Sequence, residues 1–197
     1  MLVRLGQEVQ EVPRRLAPPD EPLSDDAIRL EPLGSRFAAE LEELARDDDV
    51  RRFTRAPSTP RTGFGAEWGR VYDDAWRDGS RAGFAILDAA DGAFLGMAVF
   101  VTIDLDAREG EAGYILAPVA RGRGVASRAL ALLTGWGFGG LGLHRIELRI
   151  DPANEASLAV ARRNGFTHEG TLRSVHFKED ARADVSIWSR LASDPAG

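Results

Sequence analysis

The stretch Pro118-Val-Ala-Arg-Gly-Arg-Gly-Val-Ala-Ser127 joins an apolar, strand-like run to a helix-like run. Its two glycines, Gly122 and Gly124, allow backbone conformations and a close ligand approach that a Cβ atom would block. The first turn of the following helix leaves backbone N–H groups without partners inside the helix, and the helix dipole adds positive potential there. Arg121 and Arg123 add full positive charges. Together these features predict a binding site for a phosphate or pyrophosphate.

Two known types of glycine-rich phosphate-binding loop fit this stretch less well. It is not a Walker loop, because no Gly-Lys-Ser/Thr follows it. Gly122-x-Gly124-x-x-Ser127 could be a degenerate dinucleotide fingerprint, with Glu147 as the ribose ligand. However, its third small position is a serine, and the loop lies past the middle of the chain, behind an antiparallel half. A nucleotide-dependent oxidoreductase stays an alternative that binding of a nicotinamide dinucleotide would reveal.

The periodicity on either side of the loop predicts the remaining elements. Strands are expected at 28–33, 83–87, 93–103, 111–117, 145–150, 166–172 and 184–191, and helices at 37–45, 64–75, 125–136 and 154–163. Residues 51–61, with two prolines, are expected to form a loop, and Asp91-Gly92 a hairpin turn. An antiparallel first half followed by a parallel β-α-β crossover predicts an α/β (mixed α+β) fold with helices on both faces of the sheet.

Length and composition exclude several functional classes. A chain of 197 residues indicates one domain, and 25 basic against 31 acidic residues give a net charge of −6, which argues against a nucleic-acid binder. The absence of cysteine excludes disulfides, thiolate nucleophiles and cysteine-based zinc sites. The three histidines are too scattered to indicate a metal site, so no metal is expected.

The ends of the chain differ in composition from its centre. Residues 1–24 carry four prolines among charges and are expected to form an extended arm. A single domain is expected over 25–192, followed by a tail at 193–197. Residues 1–16 lack the apolar run of a signal peptide, and no window approaches a membrane helix. A cytoplasmic protein with no membrane partner is therefore predicted.

Several motifs around the loop carry a family resemblance. Arg121-x-x-Gly124-x-Ala126 matches an Arg/Gln-x-x-Gly-x-Gly/Ala motif, and its flanks agree with the same pattern: Glu111-Ala-Gly-Tyr-Ile-Leu-Ala-Pro118, Asp151-Pro-Ala-Asn-Glu-Ala-Ser157, Asn164-Gly-Phe166 and Glu169-Gly-Thr-Leu-Arg173. With these motifs the chain resembles the GNAT N-acetyltransferase superfamily, in the branch that contains the ribosomal-protein serine/alanine N-acetyltransferases. The resemblance covers residues 28–191 and is dense from 111 to 173.

This resemblance implies a GNAT-like, mostly antiparallel sheet of about seven strands, in which strands four and five (111–117 and 145–150) splay apart. Acetyl-CoA, the co-substrate, would lie in the opening, with its pantetheine arm along Ile115 and Leu116. Its pyrophosphate would rest on the segment that comprises Arg121, Gly122, Arg123, Gly124, Val125, Ala126 and Ser127. The implied reaction is direct attack by a primary amine, a protein N-terminus or a small molecule, in a ternary complex. A homodimer is also expected.

Three residues are candidates for the chemistry. Glu111 is the candidate base, or else an exposed strand-end carboxylate. Asn154 matches the asparagine that bonds the pantetheine arm and would also serve as a helix N-cap. Many members of the family have, at the position of Ala161, a tyrosine that protonates the CoA thiolate. Ser157 is therefore expected to hydrogen-bond the CoA sulfur, or else its own backbone. Because the usual acid is missing, a non-catalytic acyl-CoA-binding module stays the alternative function.

Aromatic and charged residues before the loop bear on the acceptor amine. Trp68, Tyr72 and Trp76 share one helical face and predict either buried core or an aromatic wall of the acceptor pocket. Acidic side chains at 47–49, 73 and 74 could attract a cationic amine or could simply face solvent. A basic patch could contact the adenosine 3′-phosphate, an acidic acceptor, a partner or only solvent; it comprises Arg51, Arg52, Arg55 and Arg61.

Overall fold

Eight strands form one sheet in the computed structural model of the chain, which describes residues 16–195. In chain order they are β1 (Leu23–Ser24), β2 (Ile28–Pro32), β3 (Ala82–Asp88), β4 (Phe94–Asp104), β5 (Glu109–Leu116), β6 (Arg145–Ile150), β7 (Thr167–Lys178) and β8 (Ala181–Leu191). Their spatial order is β1-β2-β3-β4-β5-β6-β8-β7, and only the β5–β6 pair is parallel within the described part of the chain. The mixed, mostly antiparallel sheet is confirmed, with one short strand more than the seven expected.

Helices cover both faces of this sheet, because apolar residues alternate between two cores along its strands. Phe84 and Ile86 of β3 belong to one core, and Ala85 and Leu87 to the other. The helices are α1 (Ala38–Leu44), α2 (Asp48–Phe53), α3 (Phe64–Asp78), α4 (Val125–Gly139) and α5 (Glu155–Arg163). The first core includes residues of α4 and α5, and the second includes residues of α1 and α2. None of the helices among residues 16–195 is long and apolar enough to cross a membrane.

The sheet begins inside the segment expected to be an arm. Leu23 and Ser24 pair with Leu30 and Arg29 of β2, so the first ordered strand precedes residue 25. Asp25 then caps the turn into β2 by accepting hydrogen bonds from the amides of Ala27 and Ile28 at 2.8 and 2.9 Å. Residues 1–15 of the expected arm and residues 196–197 of the expected tail lie outside the described residues.

The segment expected to be a loop at 51–61 begins inside a helix, and that expectation is corrected. Asp47 Oδ1 accepts a hydrogen bond from the Val50 amide at 3.0 Å, which is an N-cap for α2. Carboxylates in the first turn and arginines in the last turn further match the helix dipole. The acidic run therefore starts a helix too short to show an apolar period.

The tip of the β7–β8 hairpin holds the end of α2 in place. The Lys178 ammonium donates hydrogen bonds to the carbonyl oxygens of Arg51 and, at 3.1 Å, of Ala56. Beside it, Glu179 Oε1 accepts a hydrogen bond from the Ser58 amide at 3.1 Å. Lys178 is the only lysine in the sequence. The backbone after α2 is thus anchored by an element far away along the chain.

The parallel strands β5 and β6 separate after four paired positions. Their register runs from Glu109 opposite Arg145 to Ala112 opposite Leu148. β5 continues to Leu116 while paired only with β4. From residue 113 onward, the β6-facing edge of β5 has no strand partner in the described chain. The expected splay is confirmed, and it leaves backbone N–H and C=O groups open to a ligand.

Candidate active site

A cleft of 410 Å³ opens where β5 and β6 separate. Its lining includes residues of α2, among them Val50 and Phe53, and residues of α5. Most of the residues predicted to bind the cofactor line it together: Ile115, Leu116, Arg121, Gly122, Gly124, Val125, Ala126, Ser127, Asn154 and, from the catalytic pair, Ser157. Arg123 does not line this cleft, and Glu111 lies in a second one. The loop, the strand edge and the α5 N-terminus thus meet at one site.

The loop end of the cleft presents unused hydrogen-bond donors. Gly122 and Gly124 have φ angles of +72° and +79°, and a Cβ on either would meet no atom within 4 Å. Backbone amides of residues 122–127 donate no hydrogen bond of normal geometry to another described residue. The Ser127 hydroxyl is buried and also lacks a partner in residues 16–195. These donors at a helix N-terminus can hold an anion.

The two arginines of the loop are engaged by carboxylates. Arg121 contacts Asp47 at 2.5 Å and Asp49 at 2.9 Å, and it donates to the Leu116 carbonyl at 3.2 Å. Burial raises the pKa of the Asp47 carboxyl, but the bonds from Arg121 and the Val50 amide lower it more, so the net pKa lies below its ordinary value. Arg123 lies 3.6 Å from Asp88. Arg121 therefore ties the loop to α2, and the backbone amides supply the donors for an anion.

Asn154 and Ser157 meet at the start of α5. Asn154 Oδ1 accepts a hydrogen bond from the Ser157 amide at 3.1 Å, which is the N-cap that the sequence allowed. Both residues line the cleft, so the capping role and a ligand-binding role are compatible. The cap holds the backbone of Ser157 in place at the edge of the cleft.

Tyr114 is a further candidate, whose side chain the sequence motifs do not single out. Its hydroxyl is buried and forms no hydrogen bond of normal geometry with a described residue. Burial raises the pKa of this hydroxyl to about 12, while neighbouring Ser157 and the charge of Arg163 act in the opposite direction. The alternation along β5 offers the signal: Tyr114 points to the face opposite Glu111, toward α5. An unsatisfied hydroxyl thus lies beside Ser157.

A second cleft, of 440 Å³, lies on the other side of β5. It shares Phe53, Thr54, Tyr114 and Ile115 with the first cleft, so the two spaces meet across the splayed strand. Glu111 lines it with a side chain that is 19% exposed, and Arg149 Nε lies 3.4 Å from Glu111 Oε2. A carboxylate therefore lines the second cleft, on the same strand as the shared residues Tyr114 and Ile115.

The aromatic stripe on α3 divides between core and cleft. Trp76 packs edge-on against Phe84 with ring centroids 5.4 Å apart, in the core. Trp68 and Tyr72 line the second cleft, together with Phe64 from the same helix. Trp76 is therefore core, Tyr72 belongs to the core and also borders the cleft, and the acceptor wall stays a prediction. No group of three or more His, Asp or Glu residues among 16–195 is arranged to hold a metal ion.

Comparison with known proteins places this arrangement among acetyltransferases. Residues 28–167 match the model of the acetyltransferase (GNAT) domain. The uncharacterized N-acetyltransferase p20 of Bacillus licheniformis is 30% identical over 65% of this chain and 72% of its own length. The spermidine N(1)-acetyltransferase of Escherichia coli K12 is 29% identical over 78% of this chain and 80% of its own. RimL, a ribosomal L7/L12 alpha-N-protein acetyltransferase solved with coenzyme A, has a TM-score of 0.78 and 21% identity, covering 87% of this chain and 98% of RimL.

Proposed function

The chain belongs to the GNAT acetyltransferase family, and from that premise we propose how its two clefts divide the reaction of an acetyl-CoA-dependent N-acetyltransferase. The first cleft holds acetyl-CoA and the second holds the amine. The acetyl group lies where the clefts share Tyr114 and Ile115. The observation that carries this division is the pair of clefts that join across the splayed edge of β5.

The first cleft suits the pantetheine arm and the pyrophosphate of acetyl-CoA. The pantetheine amides pair with the open edge of β5 at Ile115 and Leu116, because buried amides require partners. Its pyrophosphate accepts hydrogen bonds from the amides of residues 122–127. A calorimetric titration with acetyl-CoA, with NADH as the control titrant, tests this assignment. Saturable binding of acetyl-CoA alone supports it, and binding of NADH alone would return the oxidoreductase alternative.

Substituting Gly124 with valine should abolish most acetyl-CoA binding. The left-handed φ of +79° is strained for any residue with a side chain, and the added methyl groups would fill the anion cradle. We expect the dissociation constant to rise about 30-fold or more, since several phosphate contacts are lost together. Gly139→Ala, in another open position at the end of α4, is the control and should bind normally. Equal affinity of both variants would remove the loop from the binding site.

Departure of the thiolate is assisted on the α5 side of β5. When the amine nitrogen attacks the thioester carbonyl carbon, the carbon–sulfur bond breaks and the sulfur takes up negative charge. The Ser157 hydroxyl hydrogen-bonds that sulfur, and the Tyr114 hydroxyl fixes the direction of the Ser157 bond. The Tyr114 hydroxyl, with a pKa of about 12, is too weak an acid to protonate a thiolate fully. The proposed role of the hydroxyl pair is therefore to stabilise the thiolate by hydrogen bonding.

The amine must lose a proton before or during attack, and Glu111 is the proposed base. An α-amino group has a pKa of about 8 and an alkyl amine of about 10.4, so most of either is protonated at pH 7. Glu111→Gln should lower kcat/KM about 10- to 100-fold at pH 7, and the loss should shrink as the pH rises and the amine deprotonates in solution.

The control for this substitution is Glu109→Gln, on the same strand but outside both clefts. Initial rates measured by thiol release from pH 6.5 to 10 provide the profile. A loss that is constant across this range would assign Glu111 a structural role. Acetyl-CoA affinity should stay unchanged in either variant.

The non-catalytic alternative rests on Ala161, which replaces the acidic tyrosine of many relatives. It predicts acetyl-CoA binding without thiol release for any amine.

We also propose that the protein acts in the cytoplasm as a homodimer, without a nucleic-acid or membrane partner. Light scattering of the purified chain tests the dimer, and a monomer at micromolar concentration would contradict it.

A further inference from the structure

The charges around the second cleft are balanced, although the whole chain is acidic. Six charged residues line this cleft: Arg55, Arg81, Glu111, Arg149, Asp151 and Asp184. The cleft is therefore formally neutral, whereas the chain carries a net charge of −6. A site evolved for a polycation would need a clear excess of carboxylates, because each remaining ammonium requires an opposing charge.

The carboxylates of this cleft already have partners. Glu111 lies 3.4 Å from Arg149 Nε, and Arg149 also bonds Glu147 at 2.9 Å. Asp184 Oδ1 accepts a hydrogen bond from the Ser174 amide at 2.9 Å, and Asp151 Oδ1 from the Ala153 amide at 2.8 Å. Each of these contacts engages one of the two oxygens of its carboxylate and so weakens the attraction of the cleft for a polyamine without removing it.

Two guanidinium groups of the cleft have no hydrogen-bond or ion-pair partner among the described residues, whereas each of its carboxylates has one. The side chains of Arg55 and Arg81 are exposed, and neither forms a hydrogen bond or an ion pair with another residue in 16–195. The charge of Arg81 lowers the pKa of the Asp78 carboxyl, but less than the hydrogen bonds from Ser80 do. A guanidinium presents a fork of donors that fits a carboxylate oxygen pair.

The cleft also has an apolar wall for the rest of the acceptor. Phe64, Trp68 and Tyr72 of α3 line it, together with Phe177 of β7. Glu111 lines the same cleft, on the strand that also contributes the shared residues Tyr114 and Ile115. An acceptor bound here meets a base, an aromatic surface and two unpaired guanidinium groups.

We propose that the acceptor is a primary amine that also carries a carboxylate, held by Arg55 and Arg81, and not a polyamine. The proposal rests on the proposed function and deepens it by naming the acceptor class. It separates this chain from its spermidine-acetylating relative, with which it shares 29% identity. An amino acid and a peptide with an acidic residue near its N-terminus offer the same chemistry.

The test compares amines that differ only in one carboxylate. Phenylalanyl-glutamate amide is paired with phenylalanyl-glutamine amide, and 4-aminobutyrate with its amide; spermidine represents the polyamines. Thiol release from acetyl-CoA gives kcat/KM for each, and the two pairs distinguish a peptide from a free amino acid as the source. We expect the acidic member of at least one pair to be favoured about tenfold or more.

The Arg55→Gln and Arg81→Gln double variant should reduce that preference to less than about threefold, with acetyl-CoA affinity unchanged. Arg70→Gln, on the exposed side of α3 and outside both clefts, is the matched control and should keep the preference. Where none of the amines is acetylated, calorimetry of each pair on the CoA-bound protein replaces the rates.

Three outcomes would overturn the proposal: faster turnover of spermidine than of either acidic amine, a preference that survives the double substitution, or equal or absent binding of both members of each pair. Failure of the proposed function itself is distinguishable, since it would appear either as absence of acetyl-CoA binding before any acceptor is added or as acetyl-CoA binding without thiol release for every amine tested.

Discussion

Tyr114→Phe is expected to lower kcat about 10- to 100-fold while acetyl-CoA affinity stays within about twofold. Removal of one hydrogen bond that acts only in the transition state typically costs about 100- to 1000-fold when it is direct, and less when it acts through another group. The Tyr114 hydroxyl is proposed to act through Ser157, which places the effect in the lower range. The phenyl ring keeps its packing, because only the buried, unpartnered oxygen is lost.

Ser157→Ala completes the test as a double-mutant cycle. If the two hydroxyls act as one unit, the double variant should be about as slow as Ser157→Ala alone. Without acetyl-CoA, thermal unfolding should show little loss of stability for Tyr114→Phe, since the Tyr114 hydroxyl forms no hydrogen bond of normal geometry with a described residue in that state. Losses that multiply, or a kcat equal to that of the unmodified chain, would separate Tyr114 from catalysis.

Gly65→Ala should destabilise the protein by about 3 kcal/mol or more, beyond the usual cost of overpacking. A Cβ at this position of α3 would lie 2.1 Å from the Ala38 carbonyl oxygen and 2.5 Å from the Glu42 nitrogen. Both are backbone atoms of α1, so a side-chain rotation cannot relieve the clash. The Glu42 carboxylate also accepts a hydrogen bond from the Gly65 amide at 2.7 Å, which fixes the two helices at this distance.

Gly135→Ala is the matched control for that substitution. Gly135 lies in the exposed interior of α4, and a Cβ there would meet no atom within 4 Å. Alanine should therefore stabilise the protein by about 0.5–1 kcal/mol through its higher helix propensity. Urea unfolding of both variants measures the difference. A Gly65→Ala protein as stable as the unmodified chain would mean that α1 and α3 are not in backbone contact.

Local patterns were sufficient to predict the elements that surround the first cleft, with the exception of α2. Gly122, Gly124 and the apolar run after them predict a loop and a helix within ten residues, where chain neighbours determine the geometry. Asn154 likewise serves a cap whose partner is three residues away. Because such contacts join residues that are close together in the chain, a single sequence is enough to predict them.

Contacts between distant segments could not be predicted in this way. Arg121 was expected to face a phosphate, but its guanidinium binds Asp47 and Asp49, more than 70 residues earlier. Tyr114 and Ser157 come from different elements that meet only after β5 and α5 pack together. Arg55 and Arg81 share a cleft for the same reason. These pairings depend on tertiary packing, which overrides what charge or spacing indicates.

The anchoring of Lys178 also bears on self-modification. A thioester acylates accessible amines and thiols on any protein near it, including the enzyme that carries it. This sequence has no cysteine, and its single lysine amine donates to two backbone carbonyls. An acetyl group on this nitrogen would leave one N–H donor in place of several and so weaken the contact between the hairpin tip and α2. The chain therefore offers its own activated acetyl group few competing side-chain nucleophiles.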